Sequence, residues 1–210
     1  MKQDEILAES VTDAGVDAGL LELRGTFGSL MTGHGAQKLF GWFGGHGLDG
    51  TAMWLESLGY KPGKPWAIAA GLSEFGGGLL TSLGLLHPIG PLLTLGSMGT
   101  ATFKVHWGKP IWVTSGGAEL PVLNLGIATA LFLTGPGRYS LDNVLGIRLP
   151  RWLAIPGAAL SAAGVAYGIF LSQLQQSAEQ EQAQQGAAAG QAQQQVQASR
   201  EQETATTQPA

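Results

Sequence analysis

The feature that most constrains this chain is the stretch Trp66–Leu86, which is almost wholly apolar but carries an acid close to its middle. At about 1.5 Å per residue, a helix of this length crosses the hydrocarbon core of a bilayer. Glu74 is followed by Gly76, Gly77 and Gly78, which allow neighbouring helices to approach closely. A carboxyl group at membrane depth is costly and needs a partner. The role of this segment therefore depends on which group pairs with Glu74.

Composition favours a membrane protein over a soluble domain. The chain is 44% hydrophobic and 12% charged, whereas soluble domains carry about 25% charged residues. Its 33 glycines follow no collagen-like repeat and are typical of helix packing in lipid. The absence of cysteine excludes disulfides and thiol chemistry. A net charge of −4 without a basic patch predicts no nucleic-acid partner.

The chain divides into four segments. Residues 1–17 are acidic, lack a signal-peptide pattern and are expected to be a short solvated lead-in. Residues 18–142 hold four predicted membrane spans, and residues 143–172 hold a fifth. Residues 173–210 are rich in Gln and Ala, and such low-complexity sequence cannot bury a core. The start of this tail can extend the fifth helix, while Thr204–Ala210 is expected to be disordered.

The five spans and their connections follow from the apolar runs. The predicted spans are Ala18–Phe40, Trp66–Leu86, Ile89–Trp107, Ala118–Leu133 and Trp152–Leu171. The lysines and arginines do not decide which end of each span faces the cytoplasm.

Smaller features accompany these spans. Asp49 is expected to cap a short helix that runs through Leu58 in the first connection. Gly164 and Gly168 form a small-residue face that predicts close packing of the fifth helix.

The first span carries a polar stripe. At about 100° per residue, Arg24, His34 and Lys38 fall on one side of the helix. A helix that lines a polar bundle interior has such a stripe. Alternatively, Arg24 and Lys38 extend their side chains to opposite membrane interfaces.

Three motifs together resemble the DoxX family. They are HGAQKLFGWFGGHG at residues 34–47, SEFGGGLLTSLGLLHP at 73–88, and the Glu119 helix that ends in GPGRYSLD at 135–142. The resemblance covers roughly residues 20–142, and the motifs occur in the order and with the spacing found in the family. The fifth span and the Gln/Ala tail depart from the common pattern.

The resemblance implies a fold, a location and a functional setting. The fold is an all-α transmembrane four-helix bundle, here with a fifth C-terminal transmembrane helix, in the bacterial inner membrane as a multi-pass protein. The family is named from a small subunit of a thiosulfate:quinone oxidoreductase, and some members are linked to oxidative stress with partner proteins. Quinone is therefore the candidate ligand, and no covalently bound cofactor is expected. The recurrent polar residues of the family fall on Arg24, His34, Lys38, Glu74, His106 and Glu119.

The helical rise per residue gives the depth of each of these residues along the membrane normal. With face B defined as the membrane face reached after the first span, His34 and Glu74 differ in depth by only about 4–5 Å. A His34–Glu74 hydrogen bond or ion pair is therefore geometrically easy if the first two helices are neighbours. Arg24 lies about 10 Å from Glu74 along the membrane normal and reaches it only if its long side chain extends towards it. Lys38, His106 and Glu119 are expected to gather nearer face B.

Three kinds of site fit such a cluster: a structural network of paired charges, a quinone or small-molecule pocket, and a proton or anion path. The histidines lack the spacing of a metal or haem site, so no metal is expected. The functional hypothesis is a membrane subunit of a quinone-linked redox system, in contact with lipid and with a protein partner. The alternative is a non-enzymatic structural or assembly subunit of a larger membrane complex. A small transporter is a weaker hypothesis, because no inverted repeat is visible.

Overall fold

The computed structural model describes residues 3–206, with side chains described for residues 13–150 and 152–198. Over these residues the chain is all-α, as predicted, and contains no strand. The helices are α1 (Gln3–Phe40), α2 (Gly47–Ser57), α3 (Gly63–Leu83), α4 (Ile89–Thr100), α5 (Glu119–Thr134), α6 (Leu141–Leu145) and α7 (Ala154–Thr206).

Four helices pack side by side in the order α1, α3, α4 and α5, and α5 also contacts α1. The short helix α2 lies on α3 and α1, and α7 packs against α4. Buried apolar side chains of this bundle are Phe27, Met31, Met98, Ala128 and Leu131. We call the end where α1 finishes and α3 begins the B end, and the end where α3 finishes and α4 begins the A end.

Glycines allow α3 to lie close to both of its neighbours. A Cβ atom at Gly78 would lie 2.5 Å from Thr32 N and 2.6 Å from Gly28 O, both on α1. A Cβ atom at Gly77 would lie 2.9 Å from Leu93 Cβ on α4. These distances are shorter than van der Waals contact, so neither position has room for a side chain without movement of its neighbours.

The other predicted packing glycines differ among themselves. Gly168 on α7 lies against Trp66, whose ring would be 3.3 Å from an added Cβ atom. At Gly76 and Gly164 an added Cβ atom would meet nothing within 4 Å among the described residues. The structure therefore gives these two glycines no neighbour to pack against.

Helix α1 is longer than predicted. It begins at Gln3 and runs without interruption through the expected solvated lead-in to Phe40, although Met1 and Lys2 lie outside the described residues. The acidic segment contains no proline and many good helix formers, which favour continuation of the helix. The helix ends where Gly41 adopts a left-handed conformation with φ of 73°.

The short helix of the first connection is present, but its predicted cap is wrong. Helix α2 follows His46, and no side chain caps its first turn. Asp49 lies inside that turn, where its Oδ1 is 3.1 Å from Lys64 Nζ. The carboxylate is therefore held by a lysine at the start of α3 and not by the amides of its own helix.

The Gln/Ala-rich tail continues α7. One helix runs from Ala154 through the predicted fifth span and on to Thr206. Gln175 fixes its position, because its side-chain amide accepts from Lys61 N and donates to Lys61 O, both at 2.8 Å. Thr204–Thr206 are helical and not disordered, whereas residues 207–210 lie outside the described part of the chain.

Large apolar side chains point outwards from the bundle. Leu30, Leu72, Leu133 and Leu160 are each more than half exposed, and soluble proteins rarely expose extended apolar patches. By length and hydropathy, the segment Ala154–Ala198 of α7 is the one described helix that is able to cross a membrane, and α5 is apolar but shorter. This measure supports one of the five predicted spans.

Candidate functional site

The acid near the middle of α3 forms an ion pair with a lysine from α1. Glu74 Oε2 accepts from Lys38 Nζ, and the exposed side-chain fractions are 5% for Glu74 and 25% for Lys38. Lys38 lies in the last turn of α1, so the pair is near the B end. Glu74 therefore has the partner that its burial requires, and that partner is Lys38.

Close contacts between α1 and α3 enclose this pair. Gly35 on α1 lies directly against the backbone of Phe75, and Leu39 Cδ2 would be 2.5 Å from a Cβ atom at Gly71 on α3. The rings of Phe40 and Phe75 meet edge to face at 5.6 Å. These contacts exclude solvent from the glutamate, while the partial exposure of Lys38 leaves one side of the pair open.

His34 does not take the place predicted for it. Its Nδ1 is 3.2 Å from Gln37 Oε1 on the same helix, in an exposed position. The expected His34–Glu74 contact is therefore wrong. Lys38 is one helical turn further along the same stripe, and its longer side chain reaches the carboxylate.

Arg24 belongs to a second polar cluster, at the A end. Its side chain is only 3% exposed, and its guanidinium donates to Ser82 O at the end of α3 and to Tyr139 O beyond α5. Gly84 ends α3 with φ of 62°, and a Cβ atom there would lie 3.0 Å from Arg24 Nη1. Arg24 thus joins three chain segments and does not pair with Glu74.

Asp142 completes the A-end cluster and was missed by sequence reasoning. Its carboxylate accepts from Leu86 N and His87 N, both at 2.8 Å. Its own N–H donates to Gly84 O at 3.0 Å. The residue ends the GPGRYSLD motif and follows Ser140, the N-cap of α6, and this motif position was the available signal.

His87 is titratable within this cluster. Burial lowers its pKa below the ordinary value of 6.5, while the negative charge of Asp142 and a hydrogen bond to the backbone of Phe132 partly oppose that shift. The imidazole is therefore more easily kept neutral than a histidine in water.

A small cavity of about 10 Å³ lies beside Arg24, Thr81 and His87. Arg24 Nε and Thr81 Oγ1 are buried and have no hydrogen-bond partner among the described residues. A cavity of this size holds about one water molecule. The space is large enough for a single water to serve these two groups and too small for a quinone ring.

His106 and Glu119 hold the connection between α4 and α5. His106 Nδ1 is 2.7 Å from Gly116 O, and Glu119 Oε2 accepts from Val113 N at 2.8 Å. Both bonds remain within this connection and do not reach Lys38 or Glu74. The six residues predicted as one site are thus divided between the ion pair, the A-end cluster, this connection and the exposed His34.

The arrangement can stabilise the packing of α1 against α3 through the Lys38–Glu74 pair. In the part of the chain that the structure describes, no three His, Cys, Asp or Glu side chains cluster in a way that could hold a metal ion.

Comparison with known proteins identifies relatives of this chain. A DoxX family model matches residues 19–107. The inner membrane protein YphA of Escherichia coli (strain K12) is 34% identical over 106 residues, which cover 46% of this chain and 73% of YphA. No solved structure is significantly similar.

Proposed function

Because the chain belongs to the DoxX family of membrane proteins, we propose that it is a multi-pass membrane subunit of a quinone-linked redox system. In this proposal α1, α3, α4 and α5 are a transmembrane four-helix bundle of the DoxX type, and α7 is a fifth span. The outward-facing apolar side chains support this arrangement. The name of the relative YphA supports the bacterial inner membrane as its location.

The Lys38–Glu74 pair carries this proposal. Ionisable groups inside a membrane bundle are costly, and they commonly mark proton or substrate sites. Glu74 is buried, whereas Lys38 is partly open at the B end, so the pair can pass a proton between the B-end surface and the bundle. A quinone takes up two protons with two electrons on reduction. The Lys38 ammonium, which donates to the Glu74 carboxylate, can supply one of those protons and regain it from water at the B end.

A partner protein supplies the electrons in this scheme. The chain has no cysteine, so any thiol chemistry, including that of a thiosulfate-oxidising or oxidative-stress system, takes place on the partner. The role of this chain is then to anchor the partner at the membrane and to provide protons near the quinone.

A second candidate is a structural or assembly subunit of a larger membrane complex. The observation that favours it is the bonding of the buried charges: Glu74 pairs with Lys38, Arg24 donates to two carbonyl groups, and Asp142 accepts from two amides. Such networks hold helices together without any chemistry.

Purification in native lipid, followed by mass spectrometry for proteins and quinone, tests the proposal. The redox hypothesis predicts both a redox partner and quinone in the wild-type preparation. Glu74→Gln removes the carboxylate that holds the proton-bearing Lys38 in place. It should keep the partner but lower quinone-dependent turnover about a hundredfold, the smaller end of the range of about 10²–10⁴-fold for general acid–base catalysis. A partner whose turnover is unchanged by Glu74→Gln favours the structural candidate, and absence of both partner and quinone contradicts the redox role.

A further inference from the structure

An apolar groove runs between α4 and α7 on the outside of the bundle. Its volume is about 540 Å³, within the range of about 300–1,000 Å³ typical of small-molecule sites. Its lining includes Leu92 and Gly99 on α4, Phe103 just beyond α4, and Ala158, Ala162 and Val165 on α7. The glycine and alanines leave the space between the two helices unfilled.

The groove offers no polar side chain to a ligand. Its one hydroxyl group, that of Ser161, donates to Leu92 O at 3.2 Å and is already satisfied. A polar ligand would lose hydrogen bonds to water on entry and regain none. A hydrocarbon chain loses no hydrogen bonds on entry, so the part of the ligand that lies inside the groove is apolar.

The B-end side of the groove carries a cation. Lys104 follows the lining residue Phe103, and its Nζ lies 3.2 Å from Gln176 Oε1 and 5.9 Å from the ring centroid of Tyr60. Gln176 is on the same face of α7 as the lining residue Ile169, because seven residues make about two turns. Lys104 is therefore aligned with the groove.

Lys104 lacks an acidic counterpart. No ion pair joins it to an Asp or Glu within the described residues, although Lys38, Lys61 and Lys64 at the same end each have one. It also lies in a π-helical turn, Ala101–Val105, a wide turn that is rare and often found at functional sites. An anion on the ligand would supply the missing charge.

We propose that this groove binds an anionic phospholipid, with one acyl chain between α4 and α7 and the phosphate at Lys104. The acyl chain packs against the apolar walls of the groove. The phosphate pairs with the ammonium group of Lys104, because lysine binds phosphate as a point charge. Gln176 and Tyr60 hold the ammonium group in place. This site is separate from the Lys38–Glu74 pair and does not depend on the redox role.

The test uses the full chain, delipidated in detergent and exposed to phosphatidylglycerol or phosphatidylcholine with identical acyl chains, with retained lipid counted by native mass spectrometry. One lysine near a lipid surface is worth about 1 kcal/mol, so we expect about fivefold preference for phosphatidylglycerol. Lys104→Gln should abolish the preference, and Lys109→Gln, at an exposed lysine five residues further along the chain, should preserve it. Equal retention of the two lipids, or the same preference in Lys104→Gln, overturns the proposal.

A second pair of variants tests the groove itself. Ala162→Leu places a side chain in the groove and should lower retention of both lipids several-fold. Ala163→Leu, at the adjacent exposed position outside the lining, is the matched control and should retain lipid as the wild type does. Equal retention by both variants contradicts the groove as the site. Displacement of bound phosphatidylglycerol by an equimolar uncharged quinone would identify a neutral occupant and also overturn the proposal.

Discussion

Asp142 holds the backbone of His87: Asp142 Oδ2 accepts from His87 N at 2.8 Å, and Asp142 Oδ1 accepts from Leu86 N at the same distance. One carboxylate therefore ties the start of α6 to the turn between α3 and α4. Arg24 makes the complementary connection, because it donates to carbonyl groups on both sides of this junction. The A end of the bundle is thus closed by charges that bond to the main chain.

Asp142→Ala should destabilise the protein. Two partly buried amides would lose their acceptor, and hydrogen bonds to charged groups contribute about 1.5–3 kcal/mol each. We expect a lower unfolding midpoint in detergent, with Asp142→Asn intermediate because it keeps one acceptor oxygen. Asp13→Asn, at an exposed position, is the control. Equal midpoints for Asp142→Ala and the control would show that the A end is held by other contacts.

Stability should fall on mild acidification because of His87. Its pKa is lowered in the folded state from 6.5, so near and below pH 6.5 the unfolded chain binds more protons than the folded chain. The contribution of His87 is therefore fully present above about pH 6.5 and is lost as pH falls towards the folded pKa. The measurement is the unfolding midpoint between pH 8 and pH 5. His87→Gln should flatten this dependence, and an unchanged profile in that variant would assign it to other groups.

Part of this fold was predictable from residue patterns. The all-α class follows from the long apolar runs, and the close packing of Gly77 and Gly78 follows from small residues in an apolar helix. The requirement of Glu74 for a partner follows from the cost of burying a charge. Each of these features depends on the residues of a single helix, so the local sequence is enough to predict it.

The remainder depends on contacts between distant segments. His34 and Lys38 lie on the same stripe of α1. A comparison of backbone depths favoured His34 as the partner of Glu74, because it ignored the length of the lysine side chain. Asp142 and His87 are separated in sequence by two helices, α4 and α5, so no local pattern relates them. The continuation of α7 through the Gln/Ala tail reflects its contacts with Lys61 as well as the helix propensity of those residues.

The Lys38–Glu74 pair should be more sensitive to loss of one partner than to loss of both. Glu74→Leu leaves the Lys38 ammonium without its counterion, and breaking a buried pair costs about 3–5 kcal/mol. Because Lys38 is partly exposed, we expect the lower end of that range. Glu74→Gln keeps an acceptor and should cost less, and Lys38→Met combined with Glu74→Leu should recover part of the loss. Accumulation in membranes and unfolding midpoints measure these effects. Wild-type values for all three variants would show that the pair does not contribute to stability.

Two glycine positions two residues apart on α3, Gly76 and Gly78, allow a matched test of its packing against α1. At Gly78 a Cβ atom would lie 2.5 Å from the backbone nitrogen of Thr32, whereas at Gly76 it would meet nothing within 4 Å. Gly78→Ala should therefore force α1 and α3 apart and cost about 1–3 kcal/mol, as overpacking does. Gly76→Ala should be neutral or stabilising by up to about 1 kcal/mol, since alanine has the higher helix propensity. The measurement is the unfolding midpoint of each variant in one detergent. If Gly76→Ala proved as destabilising as Gly78→Ala, the packing explanation would be contradicted, because no atom of the described residues lies within 4 Å of a Cβ atom at Gly76.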